Sequence, residues 1–222
     1  MIYDWVARFD LFLLDFDGLL VNTEKLHFLS YKQMVESLGF NFPIDYSTYC
    51  SGAHISTEAL KDLIYTRCEN LFQTYPDWTK IREIKQQIYL QHLQNGNIEL
   101  MKGVDILIQS ICHFGKRACI VTNSPFEQIS LVEEKLPELK KISYRITRED
   151  YKIPKPDGDS YKTAIKKYGL TNDKIIGFED STKGVQALLD ADVYAIEINA
   201  EPGISLAQKK FTDFLSVSLT SI

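Results

Sequence analysis

Short apolar runs bounded by turn residues alternate along much of this chain with segments whose apolar positions recur every three or four residues. That pattern predicts an α/β protein. The first run, Leu11 to Leu14, is closed by turn chemistry at Gly18 and reads as a buried strand of a parallel sheet. After Glu24 the period lengthens: Phe28, Tyr31, Val35 and Leu38 fall at helical spacing, and Gly39 is the expected stop. The following stretch, FNFPIDYSTYCSGAHIS, reads as a loop. Helices are then predicted over Ser56 to Gln73 and Trp78 to Gln94, separated by Pro76-Asp77 and closed by Asn95-Gly96. No strand pattern interrupts Lys25 to about Gln94.

From Gly103 the pattern is that of repeated βαβ units. A helix over Val104 to Phe114 ends at Gly115, and Ala118 to Val121 reads as a strand. The next helix runs to Leu136, with Ser124 as its N-cap, Pro125 in its first turn and Glu127 at capping-box spacing. Tyr144 to Thr147, Ile175 to Phe178 and Val193 to Ile198 read as strands, and Ser160 to Tyr168 and Lys183 to Ala191 as helices. The tail beyond Pro202 is ambiguous. The expected architecture is therefore a Rossmann-like, mostly parallel α/β core built from residues 1–24 and 97–222, with a helical unit inserted over 25–96.

Composition changes this picture little but narrows the partners. Over 222 residues, 45% hydrophobic and 25% charged content are ordinary for a globular protein, and a net charge of -5 with no basic block argues against nucleic acid or an anionic membrane. Asp4, Arg8 and Asp10 around a short apolar run do not make a signal peptide, so a cytoplasmic location is expected. Cys50, Cys68, Cys112 and Cys119 show no metal-binding spacing and read as reduced, structural residues. No pattern specifies an oligomeric state.

The candidate chemistry begins where the first strand ends. Asp15 and Asp17 sit just past Leu14, at the sheet edge where open α/β folds bind ligands, and Gly18 lets the backbone turn away. Two carboxylates held together cannot both ionise at neutral pH unless a metal or a lysine compensates, so the pair predicts a cationic partner elsewhere in the chain. Taken alone, an Asp-x-Asp after an apolar run is more often an exposed turn.

The stretch DFDGLLVNTE resembles the first motif, DxDGxLxDxE, of the haloacid dehalogenase superfamily, in the branch that contains beta-phosphoglucomutase-like phosphatases. The resemblance implies Asp15 as nucleophile, Asp17 as general acid/base and Mg²⁺ as cofactor. Asn22 stands where the family usually has Asp, and reads as a helix-start hydrogen-bonding residue. Thr122 matches the second motif, whose hydroxyl and neighbouring backbone N–H groups, such as that of Asn123, hold phosphate oxygens. Lys155, in IPKPDGDSY, matches the third, usually GKPxPxxY: Pro154 replaces the Gly and Gly158 the second Pro, while Asp159 and Tyr161 keep the spacing. Glu179 and Asp180 in GFEDS match the acidic fourth motif. Singly these are ordinary residues: a turn Thr, a loop Lys, an N-capping acid.

The implied metal set is Asp15, the Asp17 backbone carbonyl and Asp180, with Glu179 on the ion or behind it. In the resembling family the place of the inserted helices is taken by a cap that closes over the site, a helical subdomain with no moving part being the other reading, and Glu24, His27 and His54 are the implied substrate contacts; for His27 a plain helix-surface histidine is an equal reading. The implied activity is Mg²⁺-dependent hydrolysis of a small phosphorylated metabolite. A sugar-phosphate mutase of the same branch, and a non-enzymatic phosphoacceptor or binding module, are the alternatives; a dehalogenase would not need Asp17. A mutase needs a cation for its second phosphate, and the stretch Asn41 to Leu60 has neither Arg nor Lys, only His54, although Lys61 and Arg67 follow on the next helix. A neutral cap surface, and so a phosphatase, is expected.

Overall fold

The structure, a computed structural model, describes residues 1–201 and 203–219; Pro202 and residues 220–222, part of the predicted core and its ambiguous tail, lie outside the described residues. The chain divides into two compact units, Met1–Asn22 with Ile98–Ile222, and Thr23–Asn97.

The first unit is a parallel sheet wrapped by helices. Its strands are β1 (Leu11–Leu14), β2 (Arg117–Val121), β3 (Tyr144–Ile146), β4 (Ile175–Glu179), β5 (Tyr194–Ile198) and β6 (Lys209–Phe211), in the spatial order β3-β2-β1-β4-β5-β6 with every neighbour parallel. β1 is central: Leu14 pairs with Ile120 on one side and Phe178 on the other, so all four of its residues are buried and the run is continuously apolar rather than alternating. On one face Leu11, Leu13, Cys119 and Val121 pack with Tyr161 and Ala164 of α8 (Asp159–Tyr168) and with Val185 and Leu188 of α9 (Thr182–Asp190). On the other, the rings of Phe12 and Phe178 meet Trp5, and Phe178 meets Phe214. The short strand β6 lies in the tail that carried no clear pattern.

The second unit contains α1 (Glu24–Ser37), α2 (Tyr46–Ala53), α3 (Thr57–Arg67), α4 (Leu71–Thr74) and α5 (Trp78–Asn95) around a core that includes Met34, Tyr49, Leu60, Ile64, Leu71 and Ile81. The stretch expected to be a loop contains α2, because the Asp45 carboxylate accepts the Thr48 N–H at 2.7 Å and Tyr49 and Ala53 gain burial in this core. The helix expected from Ser56 to Gln73 breaks after Arg67, where Asn70 takes a left-handed conformation (φ 61°), and resumes as α4.

Two local readings are corrected. Ser124 does not cap α7 (Phe126–Lys135): Pro125 is extended and occupies the N-cap position itself, and the Phe126 N–H bonds the Glu149 carboxylate instead. Asn22 does not cap α1, whose N-cap is Thr23; its Oδ1 accepts the Glu99 N–H at 2.9 Å while its own N–H donates to the Glu99 carbonyl, tying the two passages of chain together within the first unit. Cys68 and Cys119 are buried, as structural cysteines would be, but Cys50 is half-buried and Cys112 exposed, and none forms a disulfide. No helix among the described residues is long and apolar enough to cross a membrane.

Candidate active site

Three strands of the sheet end together. β1 delivers Asp15, then turns through Asp17 to Gly18, whose φ of 83° suits glycine. β2 delivers Thr122, and β4 ends on Glu179 with Asp180 following. Ser181 then accepts the Gly184 N–H and starts α9, so the acidic pair is held between a strand end and a capped helix.

Lys155 joins these strand ends. Its ammonium lies 2.6 Å from Asp15 Oδ1, 2.6 Å from Glu179 Oε1, 2.8 Å from the Val121 carbonyl and 2.9 Å from the Tyr161 hydroxyl. Tyr161 in turn donates to Glu179 Oε1 at 2.5 Å. The loop carrying the lysine is braced at both ends: Asp159 accepts the N–H groups of Lys152 and Ile153, and Asn123 Oδ1 accepts the Lys155 N–H and the Tyr151 hydroxyl. With Pro154 in place of the usual Gly, the lysine side chain still reaches Asp15.

Several residues have environments the sequence did not disclose. Ser124 donates its hydroxyl to Asp17 Oδ2 at 2.6 Å, a partner 107 positions away. Thr122 Oγ1 accepts the Ser124 N–H. Asn123 uses its side-chain oxygen to hold the lysine loop, leaving its backbone amide as the group to offer a ligand. Glu179 is fully buried, and its carboxylate fills the space beside Gly184, where an added Cβ would lie 1.9 Å from Cδ. The spacing of Tyr161 to Lys155 was visible in the sequence, but its contact with Glu179 was not.

Asp15, Glu179 and Asp180 each place a carboxylate oxygen within 4.8 Å of the others; the Asp17 carboxylate is not part of this trio. Two buried carboxylates, Asp15 and Glu179, thus share one ammonium, with Asp180 close to both acids. Burial pushes the Asp15 carboxyl up to about 7, Glu179 adds repulsion, and Lys155 only partly offsets them. Burial alone would pull Lys155 down, but the Asp15 and Glu179 carboxylates hold it above its ordinary value. The repulsion at Asp15 that Lys155 only partly offsets, and the all-oxygen donors, fit a hard divalent cation such as Mg²⁺.

The remaining predicted site residues lie in the helical unit. Glu24 opens α1, and its Oε1 lies 2.5 Å from His54 Nε2. His27 is stacked on Tyr89 with ring centroids 3.9 Å apart, and its Nδ1 accepts from Lys85 Nζ at 2.7 Å. Lys85 itself is buried, over the rings of Tyr31 and Tyr89. The unit therefore holds a cation outside the stretch searched for one, on the buried face of α5 with Ile81, Ile88 and Tyr89.

The chain matches a family model described as haloacid dehalogenase-like hydrolase over residues 12–198. Among curated proteins it is 24% identical over 190 residues to a phosphorylated carbohydrates phosphatase of Thermotoga maritima, covering 83% of this chain and 82% of the relative. The crystal structure of CbbY from Rhodobacter sphaeroides in complex with phosphate superposes with a TM-score of 0.75 at 19% identity, covering 93% of this chain and 95% of that one. A family IA, variant 3 hydrolase of Entamoeba histolytica superposes with a TM-score of 0.77 at 22% identity, covering 95% and 96%. With Asp15, Thr122, Lys155 and the Glu179-Asp180 pair gathered at the strand ends, the chain belongs to the haloacid dehalogenase-like hydrolases, as an enzyme of their phosphatase kind.

Proposed function

We propose that this chain hydrolyses small phosphorylated metabolites, phosphorylated carbohydrates foremost, with Mg²⁺ and through an aspartyl phosphate on Asp15. The observation that carries this reading is the Lys155 ammonium bridging Asp15 and Glu179 at 2.6 Å each, beside an Asp17 carboxylate held by Ser124. The Thermotoga relative's name supports the substrate class. Residues 25–96 are proposed as a cap, to which Glu24, His27 and His54 contribute substrate contacts, and the protein as cytoplasmic.

In the first step an Asp15 oxygen attacks phosphorus, the bond to the leaving alkoxide breaks, and protonated Asp17 supplies that oxygen with its proton. In the second, Asp17 takes a proton from water as the water attacks phosphorus, releasing inorganic phosphate and restoring Asp15. Lys155, the Thr122 hydroxyl and the Asn123 N–H hold the negative charge spread over the phosphoryl oxygens in both steps. Asp15, Asp180 and the Asp17 carbonyl would hold Mg²⁺, which would supply further neutralisation of the same charge; Glu179, whose Oε1 is taken by Lys155 and Tyr161, serves to anchor the lysine.

The test is phosphate release from a panel of sugar phosphates with Mg²⁺ or EDTA: release from none, or release that EDTA leaves undiminished, refutes the reading. Asp17→Asn should slow turnover on the order of 10²- to 10⁴-fold and flatten the limb of the pH–rate profile that reports this group. An unchanged rate would remove Asp17 from the acid/base role.

The metal also has a signature in stability. Asp15 keeps its proton in the folded chain up to about 7, whereas the unfolded chain loses it in the ordinary carboxylate range. The stabilisation from this group is therefore full below that range and lost as pH rises through about 7. In EDTA the Tm should fall between about pH 5 and pH 8, and Mg²⁺ should raise it more at the upper end. Equal Mg²⁺ effects at both would show that the ion does not bind at Asp15.

One observation favours the mutase reading: buried Lys85 supplies the helical unit with a cation that a second phosphate would need. Phosphorus NMR of hexose 1-phosphates separates the two. Phosphate release without conversion to the 6-phosphate is expected; interconversion outpacing release when catalytic bisphosphate is added would favour the mutase.

A further inference from the structure

Glu24, Cys50 and His54 lie together in the helical unit and offer three different metal-binding atoms, a carboxylate oxygen, a sulfur and an imidazole nitrogen, all within 4.8 Å of one another. Cys50 lies on α2 and His54 follows as its C-cap, four residues on, so the two side chains share one helix face. Glu24 reaches them from the first turn of α1. The Phe28 ring of α1 packs against Tyr46 and Tyr49 of α2, with centroids 5.4 Å apart in each pair, which keeps the three positions in register without any ion. All three residues are partly exposed, so a cation reaches them without unfolding the unit.

We propose that Glu24, Cys50 and His54 form a second metal site, for a borderline-soft divalent cation of the Zn²⁺ class with its fourth position open to water. Tetrahedral Zn²⁺, with bonds of about 2.0 Å to N and O and about 2.3 Å to S, sets neighbouring ligand atoms roughly 3.3–3.6 Å apart. His54 and Glu24, now 2.5 Å apart, open by about 1 Å, a movement within the rotamer freedom of a glutamate on a first helical turn. The contact given up is a partly exposed pair, with side chains 19% and 22% exposed, and such pairs stabilise little. Binding displaces the thiol proton to solvent and takes the imidazole as a neutral base. The sulfur and nitrogen donors separate this site from the all-oxygen set at Asp15 and Asp180, which suits Mg²⁺.

Cobalt(II) reports thiolate ligation directly. Metal-free protein, with a non-chelating phosphine reductant and excess Mg²⁺, is titrated with Co²⁺. One equivalent should produce a near-ultraviolet sulfur-to-cobalt charge-transfer band, bleached by one equivalent of Zn²⁺. The band should vanish in Cys50→Ser, and Zn²⁺ affinity should fall by about tenfold or more in His54→Gln and in Glu24→Gln. No band in the unaltered chain, a band surviving in Cys50→Ser, or unchanged Zn²⁺ affinity in both other variants would overturn the proposal. Far-ultraviolet circular dichroism of each variant checks folding, and the two conservative Gln variants carry the test if Cys50→Ser misfolds. The readout is spectroscopic, so it stands or falls independently of whether the chain hydrolyses phosphate esters.

Discussion

Asp15→Asn is expected to give a folded chain that releases no phosphate. The amide is nearly isosteric with the carboxylate but cannot form the acyl phosphate, so both half-reactions disappear rather than slow. The fold should survive because the substitution removes a charge that the site tolerates poorly: burial and the neighbouring Glu179 already push the Asp15 carboxyl up to about 7. Lys155 keeps Glu179, Tyr161 and the Val121 carbonyl as partners. In EDTA at alkaline pH the variant should melt no lower than the parent. Phosphate release above background from independent preparations would refute Asp15 as nucleophile, and a collapsed melt would refute the electrostatic account.

Lys155→Met is expected to lose activity and stability together. The lysine side chain is 3% exposed and is the ammonium that bridges Asp15 and Glu179. Removing one member of a buried ion pair costs about 3–5 kcal/mol, mostly from the charge left behind. That cost has an escape route: a stranded carboxylate can take up a proton. The loss should therefore approach the full figure near pH 8 and shrink towards pH 5, where the Asp15 carboxyl is protonated at little expense. Denaturant melts of both proteins at the two pH values measure it. A loss independent of pH would mean that the lysine contributes through packing alone.

What could be read along the chain follows from which forces are local. β1 was legible because a central parallel strand is buried on both faces, so Leu11 to Leu14 are apolar without alternation. The helices α1, α5 and α9 were legible from their period. α2 was not, because Tyr46 to Ala53 is poor in strong helix formers and depends on the Asp45 cap and on burial of Tyr49 by other helices. The break between α3 and α4 was not, since one left-handed Asn leaves the apolar pattern nearly intact. β6 was not, because a three-residue edge strand is specified by the backbone of β5 rather than by its own side chains.

The same division runs through the site. The sequence by itself determined the chemical types and their places at strand ends: an acid pair after β1, a hydroxyl after β2, an acid pair ending β4, a lysine in a proline-flanked loop. These are consequences of strand pattern and turn chemistry, which act over a few residues. Only the tertiary structure decided the partnerships. Lys155 meets Asp15 across 140 positions, Ser124 turns from its predicted capping role to Asp17, Tyr161 holds Glu179, and Glu24 and His54 pair across 30 positions. In a buried site each acid needs its own donor, and which donor arrives depends on how strands 100 residues apart are laid side by side, a matter that no local pattern encodes.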